Sequence, residues 1–379
     1  MKKLLPLLSL VLLAACSEKG ESESNESGNI LEKMTYTVDT VMVDPGEEII
    51  NLNYGLSGST LSQDHQKLYK FDEITFQLQE IDLDKLQLTA SYPFEKEGPN
   101  GLDPYRGFMT GGPNDYFIFT NSQKIGKFSK SGELSTDFDY SIEKLIPSEK
   151  VERNMFSQFG FMAEQQKGFF LETAFDQPVF NLVAIDFEEE NSKVIDLPEM
   201  DRTHDYRVVS DENGYKMSSV QIVAVQAINS KVYVTTTVSS GLYRYDPVLD
   251  SLEYITFPLT LTPTEKSRKI KNEVSSAEER KEQNILINSE VGFKELLWED
   301  QSKRFFRFSS ILIPNIDPEA SPKHKVYLSA FDSQLNLLGE TFLEEIHSTP
   351  SFPFFKDGKL YTYVNVEDEL GFAVFTFDF

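Results

Sequence analysis

Cysteine is nearly absent from this chain of 379 residues, since Cys16 is the only one. A single cysteine excludes an internal disulfide and a zinc site built from paired cysteines. Histidine is also scarce, and none of the four has the spacing HExxH or HxH: His65, His204, His324 and His347. No GxSxG or GxxxxGK[ST] motif occurs. The sequence therefore predicts no metal site and no catalytic residue, identifies no cofactor, and leaves open whether the protein is an enzyme.

Positive charge is scarce as well. The chain has 36 Lys and Arg against 61 Asp and Glu, a formal net charge of −25. A surface this acidic repels nucleic acid and anionic lipid, so we predict no nucleic-acid partner. The abundant residues are aromatic: 30 Phe and 16 Tyr can supply a large core without disulfides.

The first fifteen residues have the pattern of a secretory signal peptide. The chain starts with the short basic segment Met1-Lys2-Lys3, residues 4–13 are almost entirely apolar, and two alanines follow. The apolar run is too short to span a bilayer, which needs about 20 residues. Leu13-Ala14-Ala15-Cys16 resembles a bacterial lipobox, and this resemblance implies cleavage before Cys16 and lipidation of its sulfur. The alternative is an ordinary cleaved signal in which Cys16 has no role.

Residues 17–29 are polar and acidic and contain no aromatic or β-branched residue. Such a segment cannot bury enough apolar surface to offset the entropy of ordering, so residues 16–29 are predicted to form a lipidated flexible tether. Ser17 directly after the cysteine is similar to lipoproteins that are sorted to an outer membrane. The acidic run resembles the tethers of surface-exposed lipoproteins in Bacteroidetes-type bacteria. We therefore expect an outer-membrane lipoprotein that faces either the periplasm or the cell surface.

An alternating strand, a short turn and a second alternating strand recur along the chain. Residues 241–258, GLYRYDPVLDSLEYITFP, have this strand–turn–strand pattern, and two further strand-like segments, SSVQIVAVQA and KVYVTTTV, precede them. Together these segments predict four consecutive antiparallel strands. A polar residue that ends the third strand marks each unit: Asp82, Ser129, Asp186, Asp246, Asp332 and Asp378. We expect these side chains to accept backbone N–H bonds in the turns rather than to take part in catalysis. Four-stranded units at about 40 to 50 residues are typical of a β-propeller, so six marks predict six blades.

Residues 34–44, MTYTVDTVMVD, alternate in the same way but belong to none of the six units. The sixth unit has three strands, so we expect this segment to supply its outer strand and close the ring. The predicted fold is thus all-β, a six-bladed β-propeller over residues 30–379 that is closed by an N-terminal strand.

One helical insertion is predicted for residues 264–284, TEKSRKIKNEVSSAEERKEQN. Ile270, Val274 and Ala277 fall on one side at helical spacing, and Thr264 is the expected N-cap. The insertion is either a solvated decoration or a lid or partner contact on one face of the ring.

Four segments carry a family resemblance: LSQDHQKLYKFD, YPFEKEGPNG, LLWEDQSKRFFRFSSIL and KVYLSAFDSQLNLLGET. They resemble the lipoprotein family described as domain of unknown function 4221, which is one of several six-bladed propeller families in Bacteroidetes-type bacteria. The resemblance extends over essentially the whole mature chain and implies the fold and the lipid anchor. It implies no catalytic residues, because none are established for the family.

The connections between successive units are long, at roughly 93–108, 138–157, 198–217 and 259–292. In a propeller these connections gather on one face, around the mouth of the channel. They contain six of the nine arginines: Arg106, Arg153, Arg202, Arg207, Arg268 and Arg280. Three of these, Arg106, Arg153 and Arg207, shortly precede inner strands and with His204 form the candidate ligand site, since arginine suits carboxylate or phosphate. The alternative is that the arginines pair with local acids and brace the loops.

These observations predict an outer-membrane-anchored lipoprotein whose propeller binds a ligand or partner at the cell envelope. The expected partners are the membrane through the lipid anchor and an anionic small molecule, a saccharide, a peptide or another envelope protein. Two alternatives remain open, namely an envelope hydrolase or lyase that acts on saccharide or peptide, and a purely structural envelope component.

Overall fold

The structure, a computed structural model, describes residues 28–103, 105, 108–111, 116–121, 124–141, 154–174, 179–212, 214–313 and 322–378. The predicted signal peptide, Cys16 and residues 17–27 of the predicted tether lie outside these residues, as do Arg106 and Arg153. The described part is an all-β protein built from six antiparallel four-stranded sheets and one smaller sheet.

The six large sheets follow one another along the chain. After β1 (Thr35–Met42), sheet I contains β2 (Ser59–Leu61), β3 (Lys67–Asp72), β4 (Gln77–Asp82) and β5 (Gln87–Pro93). Sheet II contains β6 (Phe108–Gly111), β7 (Tyr116–Thr120), β8 (Lys124–Ser129) and β9 (Leu134–Ser141). Sheet III contains β10 (Asn154–Met162), β11 (Lys167–Ala174), β12 (Phe180–Asp186) and β13 (Asn191–Asp196).

The smaller sheet begins with β14 (Val208–Glu212) and β15 (Tyr215–Ser219). Sheet IV contains β16 (Val223–Ile228), β17 (Lys231–Thr236), β18 (Leu242–Asp246) and β19 (Ser251–Ile255). The short strand β20 (Glu273–Val274) completes the smaller sheet. Sheet V contains β21 (Gly292–Glu299), β22 (Arg304–Ile313), β23 (Lys323–Phe331) and β24 (Leu337–Phe342). Sheet VI contains β25 (Phe354–Lys356), β26 (Lys359–Val366), β27 (Glu369–Asp378) and, as its outer strand, β1.

The first strand of the chain pairs with the last. β1 runs antiparallel to β27 in unbroken register, from Thr35 opposite Asp378 to Met42 opposite Gly371. The pairing that we expected for residues 34–44 is therefore present. Asn29, which the sequence assigns to the tether, also belongs to the folded part, because it exchanges hydrogen bonds of 2.7 and 3.0 Å with the backbone of Glu340.

Each sheet packs its apolar side chains against the next sheet, and sheet VI packs against sheet I. A pair of aromatic rings spans each of the six interfaces, with centroids 4.8 to 6.4 Å apart: Tyr69–Phe117, Tyr116–Phe161, Phe169–Tyr245, Tyr233–Phe305, Phe306–Phe355 and His65–Phe354. Burial of a ring stabilises the folded state by about 1.5–3 kcal/mol. The many aromatic residues of the chain therefore stabilise the interfaces between sheets.

Five of the six residues that mark the units have the structural role that we predicted, and nothing tests that role for Asp378. The Oδ1 atoms of Asp82, Asp186, Asp246 and Asp332 each accept two hydrogen bonds, of 2.8 to 3.1 Å, from backbone N–H groups in the following turn. Ser129 Oγ accepts one from Glu133 in the same way. These side chains satisfy donors that the tight turn leaves without a strand partner.

The structure corrects the position of the predicted helix. The α-helix, α1, is Ala277–Asn288, and its N-cap is Ser276, whose side chain accepts a 3.1 Å hydrogen bond from the backbone N–H of Glu279. The expected N-cap, Thr264, lies in a bend whose carbonyl accepts a 2.7 Å hydrogen bond from the Ser240 N–H, and Glu265 forms an isolated β-bridge with Ser239. Contacts with the distant connection between β17 and β18 therefore outweigh the local helical spacing of residues 264–276.

Residues 198–222 and 256–291 together form a cap on sheet IV. The cap contains the smaller sheet β15–β14–β20, the helix α1 and a 3₁₀ helix, Pro198–Tyr206. The core of the cap consists of Tyr206, Val208, Val274 and Ile287, which pack on Val238 of the connection from β17 to β18. A second 3₁₀ helix, Ala163–Gln165, lies outside the cap, in sheet III. Across the residues that the structure describes, no helix has both the length and the apolar character to cross a membrane.

Candidate functional site

A cavity of about 430 Å³, which we call the central cavity, lies between the first strands of several sheets. Its walls come from β16 and the end of β17, from β21 and β22, from residues 350–353 before β25, and from Leu61 of β2. The cap borders the cavity through Ile222, whose carbonyl accepts a 3.0 Å hydrogen bond from the backbone N–H of Thr237, another lining residue. The lining is largely apolar, with Ile222, Leu297 and Phe352 on its surface, and the charged side chains among the described lining residues are Lys294 and Glu295.

Lys294 and Glu295 form a β-bulge in β21. Phe293 pairs with Ser309 and Leu296 pairs with Arg307, so two residues of β21 lie opposite the single residue Phe308 of β22. Successive side chains of a regular strand point to opposite faces, whereas a bulge re-aims them. Both charged side chains consequently line the same cavity.

Gln226 of β16 supports the bulge from the neighbouring sheet. Its amide nitrogen donates to the Leu296 carbonyl and its amide oxygen accepts from the Leu296 N–H, both at 2.9 Å. Leu296 directly follows the bulge, where the regular ladder is interrupted. A side chain of sheet IV therefore fixes the backbone of sheet V at the cavity wall.

Arg307 supports the bulge from within sheet V. Its Nε donates to the Lys294 carbonyl at 2.5 Å, and its terminal nitrogens donate to the carbonyls of Thr236, Ser239 and Ser240. The guanidinium carbon lies 5.2 Å from the centroid of the Phe293 ring. The residue is only 3% exposed, and burial lowers the pKa of Arg307 to about 9, which still leaves it charged at neutral pH. One buried cation therefore holds the bulge and the connection between β17 and β18 together.

The Glu295 carboxyl has an unusual environment. Glu295 is exposed at the lining of the cavity, and desolvation by the surrounding protein raises the pKa of its carboxyl even though the charges of Lys294 and Arg307 oppose that shift. Within the described part of the chain, neither Lys294 nor Glu295 forms a side-chain hydrogen bond or an ion pair. A carboxyl with a raised pKa in a cavity is typical of functional sites.

His324, at the start of β23, is a neighbour of Lys294. Burial and the charge of Lys294 lower the pKa of His324, which favours the neutral ring. Its Nδ1 is buried and has no hydrogen-bond partner among the described residues, and its backbone N–H donates to the His347 carbonyl at 2.8 Å. No cluster of three or more metal-binding side chains occurs in the described ranges.

The structure places the predicted site residues His204 and Arg207 in the cap, and neither lines the central cavity. The His204 ring packs 5.2 Å from the ring of Phe180, and burial, together with the charge of Arg207, lowers the pKa of His204. The Arg207 carbonyl accepts a 2.7 Å hydrogen bond from Asn272. The other predicted ligand residues, Arg106 and Arg153, and the predicted lipidation site Cys16 lie outside the described residues.

Two other loop arginines brace the cap. Arg202 pairs with Glu265 at 2.5 Å, and Arg280 of α1 donates to the hydroxyls of Ser210 and Ser219 at 3.2 and 3.0 Å. These contacts agree with the alternative in which loop arginines bind groups of the protein itself.

Sequence reasoning missed Lys294, Glu295 and Arg307. A signal for the first two exists in residues 292–299, GFKELLWE, where two consecutive polar residues interrupt the alternation of a strand. Arg307 is the only charge between the aromatic residues of the strand segment FFRF. Both irregularities are typical of a bulge with a buried partner.

Comparison with known proteins agrees with the fold described above. A solved structure of a DUF4221 family member from Bacteroides vulgatus is similar over 91% of this chain and 98% of that chain, with a TM-score of 0.62 and 14% identity. The β-propeller domain of Cps50 (Swd1) from Myceliophteria thermophila is a weaker match, with a TM-score of 0.42 and 8% identity over 84% of this chain and 82% of that chain. A search of the curated proteins found no match. The model of one family, described as domain of unknown function (DUF4221), matches residues 27–342. This chain therefore belongs to the DUF4221 family.

Proposed function

We propose that this protein is a lipoprotein of a bacterial outer membrane that binds a small ligand in its central cavity. The observation that carries the proposal is the cavity wall, where Lys294 and Glu295 line one cavity without pairing with described residues. Ligand sites are mostly apolar cavities of roughly 300–1,000 Å³ with a few polar groups that fix orientation, and this cavity has that character.

The proposal includes a closed ring of six blades. Two observations support it: each of the six sheets shares an apolar cluster with the next, sheet VI with sheet I included, and β1 is the outer strand of sheet VI. In such a ring the innermost strands surround an axis, and the central cavity lies on it.

The proposal also includes the anchor. Lipidation of Cys16 would hold the domain at the membrane through residues 17–27, and the folded part would begin near Asn29. Two or more acyl chains make such an anchor stable, whereas one chain alone binds weakly.

The enzyme alternative depends on Glu295, because a carboxyl with a raised pKa suits general acid catalysis. Glycoside hydrolysis commonly needs a second carboxyl about 5–9.5 Å away. Among the described lining residues Glu295 is the single acid, so binding without turnover has the better support.

A fragment screen by ligand-observed NMR on the full chain in detergent tests the proposal. Ser351 lines the cavity with an exposed side chain, so Ser351→Trp should fill the mouth and remove the signals of bound fragments. Ser131→Trp, at an exposed turn of sheet II, is the matched control and should keep them. Fragments that bind both variants equally, or no fragments at all, would overturn the proposal. Conversion of a bound fragment into a product would favour the enzyme.

A further inference from the structure

The bulge in β21 presents two opposite charges side by side. Lys294 and Glu295 are consecutive and both line the central cavity, although a regular strand would send one of them to the opposite face. The bulge is held in place by Gln226 and by Arg307, through hydrogen bonds of 2.5 to 2.9 Å to its backbone. The arrangement is therefore built into the packing of two sheets.

The two charges interact with each other only through space. They form no ion pair with one another, and no other described side chain forms an ion pair or a hydrogen bond with either of them. Arg307, the other cation near Glu295, has its N–H groups directed at backbone carbonyls. Burial disfavours the ionised Glu295 carboxyl, and a charge in such a site is stabilised by a partner of opposite sign.

The remaining wall is suited to an apolar body. Leu297 and Phe352 are half-buried at the surface of the cavity, and Ile222 contributes an exposed side chain from the rim. A ligand that covers these side chains is stabilised because it removes apolar surface from water. The volume of about 430 Å³ is sufficient for a molecule of the size of one or two amino acids.

Resting on the proposed function, we propose that the central cavity binds a small zwitterion with an apolar side group, of the chemical class of a free amino acid or a dipeptide. The ammonium group binds the Glu295 carboxylate, the carboxylate group binds the Lys294 ammonium, and the apolar group packs on Leu297 and Phe352. Arg307 is a positioning residue, because it holds the bulge and does not contact the ligand.

Calorimetric titration of the full chain with L-leucine, L-phenylalanine and L-leucyl-L-leucine tests this inference. N-acetyl-leucine lacks the ammonium group and leucinamide lacks the carboxylate, so each should bind at least tenfold more weakly than leucine. Glu295→Gln and Lys294→Gln should each lower the affinity for leucine by a similar factor. N-acetyl-leucine should bind Glu295→Gln no more weakly than wild type, because the contact that Glu295 makes with an ammonium group is already missing and the substitution removes a negative charge beside an anionic ligand.

The matched controls are Lys281→Gln and Glu282→Gln, which change a consecutive Lys-Glu pair on the exposed face of α1. They should leave the affinity for leucine unchanged, and thermal melts should show that all four variants are folded. The blocked analogues test the inference on the wild-type chain, so a variant that fails to fold does not decide the result.

Equal affinity for leucine and its blocked analogues would overturn the inference, and so would the absence of leucine and dipeptide binding. In either case, fragments that Ser351→Trp displaces would leave the proposed function intact. If no fragment binds the cavity either, then both proposals fail.

Discussion

Arg307 Nε donates a 2.5 Å hydrogen bond to the carbonyl of Lys294, across the one point where β21 and β22 lose their regular register. The same guanidinium donates to carbonyls of the connection between β17 and β18 in sheet IV. A single buried side chain thus couples the shape of the cavity wall to the packing of two sheets.

Arg307→Met should destabilise the protein strongly, because it leaves several buried carbonyls without donors, each worth about 1–3 kcal/mol. We expect a loss of about 3 kcal/mol or more in the free energy of unfolding, measured by urea denaturation. Arg244→Met is the control, since Arg244 pairs with the exposed Glu253 and such pairs contribute about 1 kcal/mol or less. Similar losses in both variants would contradict the role assigned to Arg307.

The N-terminal segment should be essential for stability. Leu31 is fully buried in the cluster between sheets V and VI, so Leu31→Ala should cost about 2–5 kcal/mol. Deletion of residues 30–45 also removes β1 and should abolish cooperative thermal unfolding. Ile49→Ala, at a side chain that is 81% exposed, should leave the melting temperature unchanged. A deletion variant that melts like wild type would refute the closed ring.

The marker aspartates should affect stability and not binding. Asp332→Ala removes two turn hydrogen bonds and should cost about 1–2 kcal/mol, whereas Asp332→Asn keeps an acceptor oxygen and should cost less. Burial would raise the pKa of Asp332, but hydrogen bonds from Asn336 and the turn outweigh it and hold that pKa below its usual value. The advantage of Asp over Asn should therefore be present above a pH of about 4 and be lost as the pH falls through the lowered native pKa. Loss of ligand affinity in Asp332→Asn would contradict a purely structural role.

Because of Lys266, the stability of the protein should increase as the pH rises above about 8. It lies buried within the cap, donates a 2.8 Å hydrogen bond to the Ile287 carbonyl, and has a pKa that burial lowers to about 8 against the opposing charge of Glu290. Between pH 8 and about 10.4 the unfolded chain binds the proton that the native state has lost, so stability increases with pH over this window. Denaturation of wild type and Lys266→Met at pH 7 to 10 should show curves that diverge above pH 8. The stability of Lys281→Met, which changes the exposed face of α1, should vary with pH in the same way as that of wild type. If the stability of Lys266→Met also varies with pH as in wild type, then the prediction is wrong.

Cys16→Ser should release the protein from membranes. If the lipobox directs lipidation, the variant cannot be acylated at the sulfur and should move from the membrane pellet to the soluble fraction of the expressing bacterium. Ser17→Ala is the control and should remain in the pellet. Membrane association that survives the loss of Cys16 would place the anchor elsewhere.

The repeated pattern allowed the strand order to be predicted to a useful degree. The four strands of sheet IV, the turns after the marker aspartates and the pairing of β1 with β27 all follow from alternation and from turn residues. These signals are local, and they are strong because one residue of slip would turn every apolar side chain to the wrong face. The cap was not foreseen, since β14 and β15 pair in a connection that the sequence assigns to a loop.

The sequence by itself determined the all-β class, the antiparallel order of strands in sheet IV and the structural role of Asp82, Asp186, Asp246 and Asp332, because each of these depends on neighbours a few residues away. Tertiary structure alone decided that residues 264–276 are not helical and which charged residues line the cavity. Thr264 binds Ser240, and the carbonyls that Arg307 holds lie as far as 71 residues away along the chain. Contacts over such separations depend on how the sheets pack, and no local pattern encodes them.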